Sequence, residues 1–549
     1  MQYINFNKDA WKDTEVKNPI EKICGMGTTL LALIFFGFVA IASIAETSVI
    51  DPNHFVGEKI LYEKDNVFLN FVWILLFLLT AIIFAYFRET FQKIPVSKLK
   101  IGLFIYTMIL GTIWVIKVQC VPAADAKQVF DAAAMFAKGD MTPMTVSTWE
   151  SYLGDLSYFQ PFHHQLGLTF LSEKLYRVCG FETALPLELM NVVCLAFLYL
   201  GLQKIAEKLF RSKGVVLILT VILALCLQPV FMTAFPYGII IGFSAAIWAY
   251  YFVLCFMQSD SAKRALYILP ATILMVIGVL AKYNNLIFVV AITIGLVIFI
   301  IREKDWVSLI LVAVFCVVSF NCMNFVVMHY ESKSGVELKP GISQTTFLDM
   351  GLNESYMAPG WYNGITISLY KKNGGDSELT TKAAKEDVSK RIEKFKSDGS
   401  YCKSFFSKKV LSQWNEPTYE SIWVSQVKAH YYGQVDQKSW LNKVYRQNDE
   451  NGKPIYDGSW GKKLDSYFNV YQMLMFVMFS VAMVSLLLKR CNVETMTLIL
   501  VLVGGFLYHL LFEAKSQYCV SYFVLIAFFA AYGTYVVAKS IELKLPIKK

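Results

Sequence analysis

Long stretches without a single formal charge limit this chain more than anything else in it. Val67–Phe87, Val215–Thr233, Ile239–Met257, Val307–Met328 and Tyr518–Ala538 contain no Asp, Glu, Lys or Arg. A helix rises about 1.5 Å per residue, so each run reaches or approaches the roughly 20 residues that cross a hydrocarbon core of about 30 Å. Soluble chains have roughly 45–50% apolar and about 25% charged residues. Here the 549 residues are 56% apolar and 17% charged, so a bilayer is the natural solvent. Trp and Tyr often stand at the ends of the runs, where an amphipathic ring suits the headgroup layer.

The formal charge of +9 does not require a nucleic-acid partner. Lys and Arg are retained on the cytoplasmic side of membrane proteins, and that explains the excess. The eleven cysteines are scattered singly, several inside apolar runs (Cys194, Cys226, Cys255, Cys316), with no CxxC pair, and read as small hydrophobes. Met1–Gly25 has mixed charge and no cleavage pattern, so the first helix is expected to stay as an anchor.

About twelve transmembrane helices are expected, at 26–45, 67–87, 101–119, 184–203, 214–232, 239–257, 265–280, 286–301, 306–328, 467–488, 495–512 and 518–538. With the N-terminus inside, one face collects Arg88, Lys93, Lys98 and Lys100, then Lys204, Lys208, Arg211 and Lys213, then Lys263 and Arg264, then Arg302 and Lys304. Lys489, Arg490 and the tail Lys539–Lys549 join them. That face is expected to be cytoplasmic, with both termini on it. Phe162–Gly180 is short and interrupted by Glu173, Lys174 and Arg177, and a crossing there would invert every later loop. It is expected to lie as an amphipathic helix at the outer interface.

The expected fold class is an all-α polytopic membrane protein with an α-rich or mixed extracytoplasmic insert. Residues 1–100 hold an N-terminal cytoplasmic segment and two additional helices, and 101–328 form a transmembrane core with an outer loop at 120–183. A soluble insert spans 329–466, and three C-terminal helices occupy 467–549. The chain carries no internal repeat and no GxxxxGK phosphate loop.

Candidate reactive groups gather on the outer face. Asp125 follows the helix ending at Gln119 by a turn or two, in Pro122-Ala-Ala-Asp125-Ala-Lys127-Gln-Val-Phe-Asp131. Asp131, six residues on, would not share its helix face, and Asp155 is a further acidic candidate. The plainer reading of any one such Asp is a solvated acid or a charge complementing a helix dipole. His163 and His164 stand together in Tyr158-Phe-Gln-Pro161-Phe-His163-His164-Gln165. Neighbours on a helix diverge by about 100°, so they are not expected to share one metal, but one could meet phosphate or a divalent cation at a helix N-terminus. The outer turn His509-Leu-Leu-Phe-Glu513-Ala-Lys515-Ser-Gln-Tyr518 carries charges that are costly at a membrane boundary unless paired or used. Lys282, in Ala281-Lys-Tyr-Asn-Asn285, adds another outer cation. For these lysines the plainer reading is snorkelling or a hydrophilic turn.

Taken in order, these pieces resemble the GT-C superfamily of integral membrane glycosyltransferases, in particular bacterial relatives of the protein O-mannosyltransferases and the lipid A aminoarabinose transferase. The likeness covers roughly Ile101 onward, and further matching pieces are Leu280-Ala-Lys282-Tyr-Asn284 and Gln413-Trp414-Asn-Glu-Pro-Thr-Tyr419. The resemblance implies a hexosyltransferase-like enzyme that moves a sugar from a polyprenyl-phosphate-linked donor to an extracytoplasmic glycan, lipid or protein. It implies Asp125 as the base, with His164, Gln165, Lys282 and Lys515 around the donor and its phosphate. Asp131, Asp155, His163, Glu513 and Tyr518 would support them. Membrane lipids are the other expected partner, nucleic acid is not, and no cofactor is implied beyond a candidate divalent cation. The family pattern has Tyr-Pro where Phe162-His163 stands, and Arg and Pro where Gln517 and Ser521 stand. Gln lacks Arg's charge and fork, which weakens the phosphate clamp. The alternatives are a transporter or a non-catalytic polysaccharide export or assembly protein. The chain shows no six-plus-six symmetry of the transporter kind.

Overall fold

The computed structural model describes residues 16, 18–53, 58–87, 90–91, 93–146, 150–180, 183–425, 440–445, 453, 456–489 and 491–542. Arg88, Arg490 and 543–549, used above for topology, lie outside the described residues, as does most of Met1–Gly25.

Helix α1 (Pro19–Ala45) leads into an antiparallel hairpin of β1 (Glu46–Ile50) and β2 (Ile60–Lys64), followed by α2 (Val67–Tyr86) and α3 (Val96–Val118). A polar stretch carries α4 (Ala124–Ala137) and α5 (Leu166–Cys179). Then come α6 (Leu185–Phe210), α7 (Lys213–Leu225), α8 (Gln228–Met232), α9 (Ile239–Met257), α10 (Arg264–Ala281), α11 (Leu286–Glu303) and α12 (Ser308–Ser334). The insert holds α13 (Gln344–Leu352), α14 (Ile365–Lys372), α15 (Ser377–Ser397) and α16 (Gly399–Trp414). The chain closes with α17 (Gly461–Lys489), α18 (Val493–Leu511) and α19 (Ser516–Glu542).

Among the described residues, eleven helices are long and apolar enough to cross a membrane. Their outward faces are apolar too: Phe68, Phe71 and Leu75 on α2, Leu266 on α10 and Ile310 on α12 are all exposed. Apolar surface of that extent faces lipid, and the fold is that of an all-α polytopic membrane protein. The continuous helix expected at 214–232 requires correction. α7 has 13 residues and stops before α8, where Pro229 has no N–H for a bond to Leu225. The two pieces still run from one end of the bundle to the other. Gly214 lies against Tyr535, late in α19, while Tyr237, just past α8, reaches Asp125.

α5 is not one of the spanning helices; it packs on α4, α10 and α12. The charge that interrupts its pattern is accommodated inside the protein. Glu173 is fully buried and accepts hydrogen bonds from Tyr330 Oη at 2.6 Å and Arg177 Nε at 2.9 Å.

The insert closes back onto the bundle. Trp414, at the end of α16, is fully buried, edge-on to Phe36 of α1 and stacked on Phe506 of α18. Asn415 Nδ2 donates to Glu46 O at 2.7 Å and its carbonyl accepts from Ser48 N at 3.1 Å, tying the insert to the hairpin. Fully buried Lys409 donates to Gly351 O and, at 2.8 Å, to Phe512 O. The insert and the α18–α19 turn are thereby locked together.

Candidate active site at the end of the helix bundle

A cavity of about 570 Å³ opens where the ends of α3, α10, α18 and α19 meet the α4–α5 stretch, the hairpin and the insert. Asp125, His164, Gln165, Lys282, Glu513, Lys515 and Tyr518 all line it. Three sequence candidates do not. Asp131 sits on another face of α4, paired with Lys127; Asp155 is exposed in a loop; and His163 points away from His164 with its Nε2 buried. The divergence of adjacent helical side chains accounts for the separation of the two histidines.

The backbone around Asp125 is unusual. Gln119 ends α3 with φ 47°, and Ala124 has φ 48°. A left-handed conformation costs a residue with a Cβ roughly 1–2 kcal/mol. The turn at Ala124 sets Asp125 in the first turn of α4. Its Oδ1 accepts from Tyr158 Oη at 2.9 Å, and its Oδ2 faces Tyr237 Oη at 3.5 Å. Gln165 Nε2 donates to the same Tyr237 oxygen at 2.6 Å, leaving that hydroxyl's proton for Asp125. Burial pushes the Asp125 carboxyl above the usual carboxylate range, against the pull of Tyr158, Lys282, Lys515 and Tyr237. That is the condition of a base made more basic by its surroundings.

Lys282 follows the last turn of α10. Its Nζ lies 3.9 Å from the centre of the Tyr237 ring and 5.2 Å from that of Tyr518. Burial lowers it to about 8, opposed by Asp125 and Glu513. Close packing fixes its backbone: Gly238 (φ 77°) sits directly against Ala281 O, and Asn285 Nδ2 donates to Gly278 O at 2.8 Å.

Lys515 is paired with Glu58, whose other oxygen accepts from Trp423 Nε1 at 3.2 Å. Burial alone would lower Lys515; Glu58 and Glu420 outweigh it and raise it. Burial raises Glu513 to about 7 despite Lys515. His164, flanked by Phe162, Tyr283 and Phe347, is lowered to about 4 by burial and Lys282. In this cavity it is a neutral hydrogen-bonding group at neutral pH.

Behind the cavity wall, Glu416 organises the turn that supports Lys515. Its Oε1 accepts from Thr418 N at 2.9 Å and Thr418 Oγ1 at 2.5 Å; its Oε2 accepts from Glu420 N and Ser516 Oγ, both at 2.8 Å. These bonds hold Tyr419 and Glu420 in consecutive left-handed conformations, φ 49° and 55°. Ser516 Oγ also lies 3.0 Å from Glu420 Oε1, so its one proton is shared between the two carboxylates.

Sequence reasoning missed Tyr237, Glu58 and the Glu416–Glu420 pair. Tyr237 stands in a turn marked only by Pro236 and Gly238, and Glu58 belongs to the stretch joining two helices that looked accessory. Glu416 and Glu420 lie in or beside the Gln413–Tyr419 motif, yet nothing in its spacing indicates a four-bond carboxylate. Among the described residues, no group of three or more His, Cys, Asp or Glu side chains is arranged to hold a metal ion. The cavity therefore offers no pre-formed cage for the divalent cation considered above.

No protein-family model matches the chain. No curated protein matches it either. Among solved structures it is similar to ArnT from Cupriavidus metallidurans bound to undecaprenyl phosphate. That likeness has 14% identity over 79% of this chain and 77% of that one, with a TM-score of 0.32. The apo form of the same ArnT gives 14% identity, 81% and 76% coverage and a TM-score of 0.31. Likeness this distant says nothing about chemistry, which has to come from the cavity's own residues.

Proposed function

We propose that this protein is a membrane glycosyltransferase of the GT-C type, taking a sugar from a polyprenyl-phosphate-linked donor at the extracytoplasmic end of its helix bundle. The observation that carries the reading is Asp125. It is a half-buried carboxylate held by two tyrosine hydroxyls, and it shares one cavity at the end of a transmembrane bundle with Lys282 and Lys515. In the proposed reaction Asp125 takes the proton of an acceptor hydroxyl, and the acceptor oxygen bonds to the anomeric carbon. The bond from that carbon to the phosphate oxygen breaks, and its electron pair leaves with the phosphate. Lys282, turned toward aromatic rings, is the cation best disposed to receive the charge that develops there. Lys515 assists once it is released from Glu58.

The aromatic lining, with Tyr152, Tyr283, Tyr356 and Tyr362 among it, suits a sugar or a prenyl chain better than a small ion. The reading is tested by comparing surface glycans of cells with and without this chain. A glycan that loses one sugar in the deletion strain, regained with the wild-type chain, supports transfer. Unchanged glycans together with a defect in solute uptake would favour a transporter.

A further inference from the structure

We propose that Glu58 is an internal competitor: its carboxylate and the donor's phosphate take the same seat at Lys515, so that binding of the lipid phosphate exchanges one for the other. This rests on the reading of Lys515 as a phosphate partner. The geometry is specific. Glu58 comes from the hairpin between α1 and α2, far in sequence from every other group in the site, and makes an ion pair with the one lysine of the α18–α19 turn. Both side chains are only 14% exposed, so the contact is shielded from the solvent screening that weakens surface pairs.

The charge balance of the lining explains why the exchange is needed. Asp125, Glu58 and Glu513 face Lys282 and Lys515, and Glu420 lies directly behind with its Oε2 buried and unpartnered. A phosphate entering that set unchanged would add negative charge where acids already outnumber bases, and like charges at close range disfavour one another strongly in a shielded site. A carboxylate has to be protonated or withdraw, and Glu58 is the one free to withdraw. Asp125 is fixed by Tyr158 and Tyr237, and Glu513 stands in a turn pinned by Lys409 at Phe512 O and by Gly360 at Ala514 N. Among the described residues, Glu58 is held by Lys515 and by one bond from Trp423, which remains as its partner once the ammonium turns to phosphate.

A competitor and an organiser predict opposite signs. Glu58→Gln keeps the size of the side chain and an oxygen for Trp423 but removes the negative charge. The test is the affinity of the full-length protein for undecaprenyl phosphate, titrated in nanodiscs of zwitterionic lipid. Glu58→Gln should bind about tenfold tighter than wild type, Lys515→Ala about tenfold weaker, and the double variant should match Lys515→Ala. Glu58→Asp, with its shorter reach, should shift affinity in the same direction by less, and serves should the Gln variant fold poorly. Unchanged or weaker binding by Glu58→Gln, with Lys515→Ala still impaired, overturns the competition alone. Unchanged binding by Lys515→Ala overturns the phosphate role of Lys515 itself.

Discussion

Raising the pH should loosen the cavity's hold on a lipid phosphate in two steps, because two of its groups change charge near neutrality. Glu513 titrates at about 7 and Lys282 at about 8, both moved by burial. Below about 7 the first is mostly neutral and the second charged, which suits an anion. A phosphate alongside favours the protonated form of each, so binding takes up a proton above each value, and each proton lowers the logarithm of the association constant by about one per pH unit. The expected slope is near zero below about pH 7, about −1 between about 7 and 8, and about −2 above that, up to a thousandfold loss by about pH 9. The ligand's own second ionisation, near 6, is over before the steps begin. The assay is a titration of undecaprenyl phosphate against the protein in nanodiscs across this range. Glu513→Gln should remove the first step and Lys282→Met the second. A flat profile from about pH 6 to 9, or steps that persist in both variants, would refute the assignment.

Two further substitutions probe the scaffold. Glu416→Gln replaces an oxygen that accepts from Glu420 N and Ser516 Oγ with a donor amide, losing two charge-assisted bonds of about 1.5–3 kcal/mol each. The thermal midpoint of the purified protein should fall by several degrees, and an unchanged midpoint would mean the network is idle. Gly238→Ala asks a residue with a Cβ to adopt φ 77° while that carbon meets Ala281 O, next to Lys282. It should destabilise the fold by about 2 kcal/mol or more and weaken lipid-phosphate binding along with stability.

The membrane architecture was readable from the sequence because the bilayer imposes a length and a polarity on each helix, and both are local properties of the chain. The break at 226–227 was not, since Leu, Cys and Gln beside one Pro satisfy a hydropathy window whether or not the helix is continuous. The candidate site was legible where its residues cluster in sequence, as around Asp125, His164–Gln165 and Glu513–Tyr518. Tyr237 and Glu58 were not, because what brings them to Asp125 and Lys515 is packing between elements 112 and 457 residues apart in sequence. Asp131 shows the converse. Proximity in sequence to a reactive group says little once a helix turns the side chain elsewhere.

Asp125 carries the proposed chemistry, and its substitution is the most direct test. Membranes from cells lacking the chain, supplied with purified wild-type protein and labelled polyprenyl-phosphate sugars, should transfer label to an endogenous acceptor. Asp125→Asn keeps an oxygen for Tyr158 but cannot take a proton, and transfer should fall by about a hundredfold or more while the variant folds and binds undecaprenyl phosphate. Transfer by Asp125→Asn at the wild-type rate would contradict Asp125 as the base.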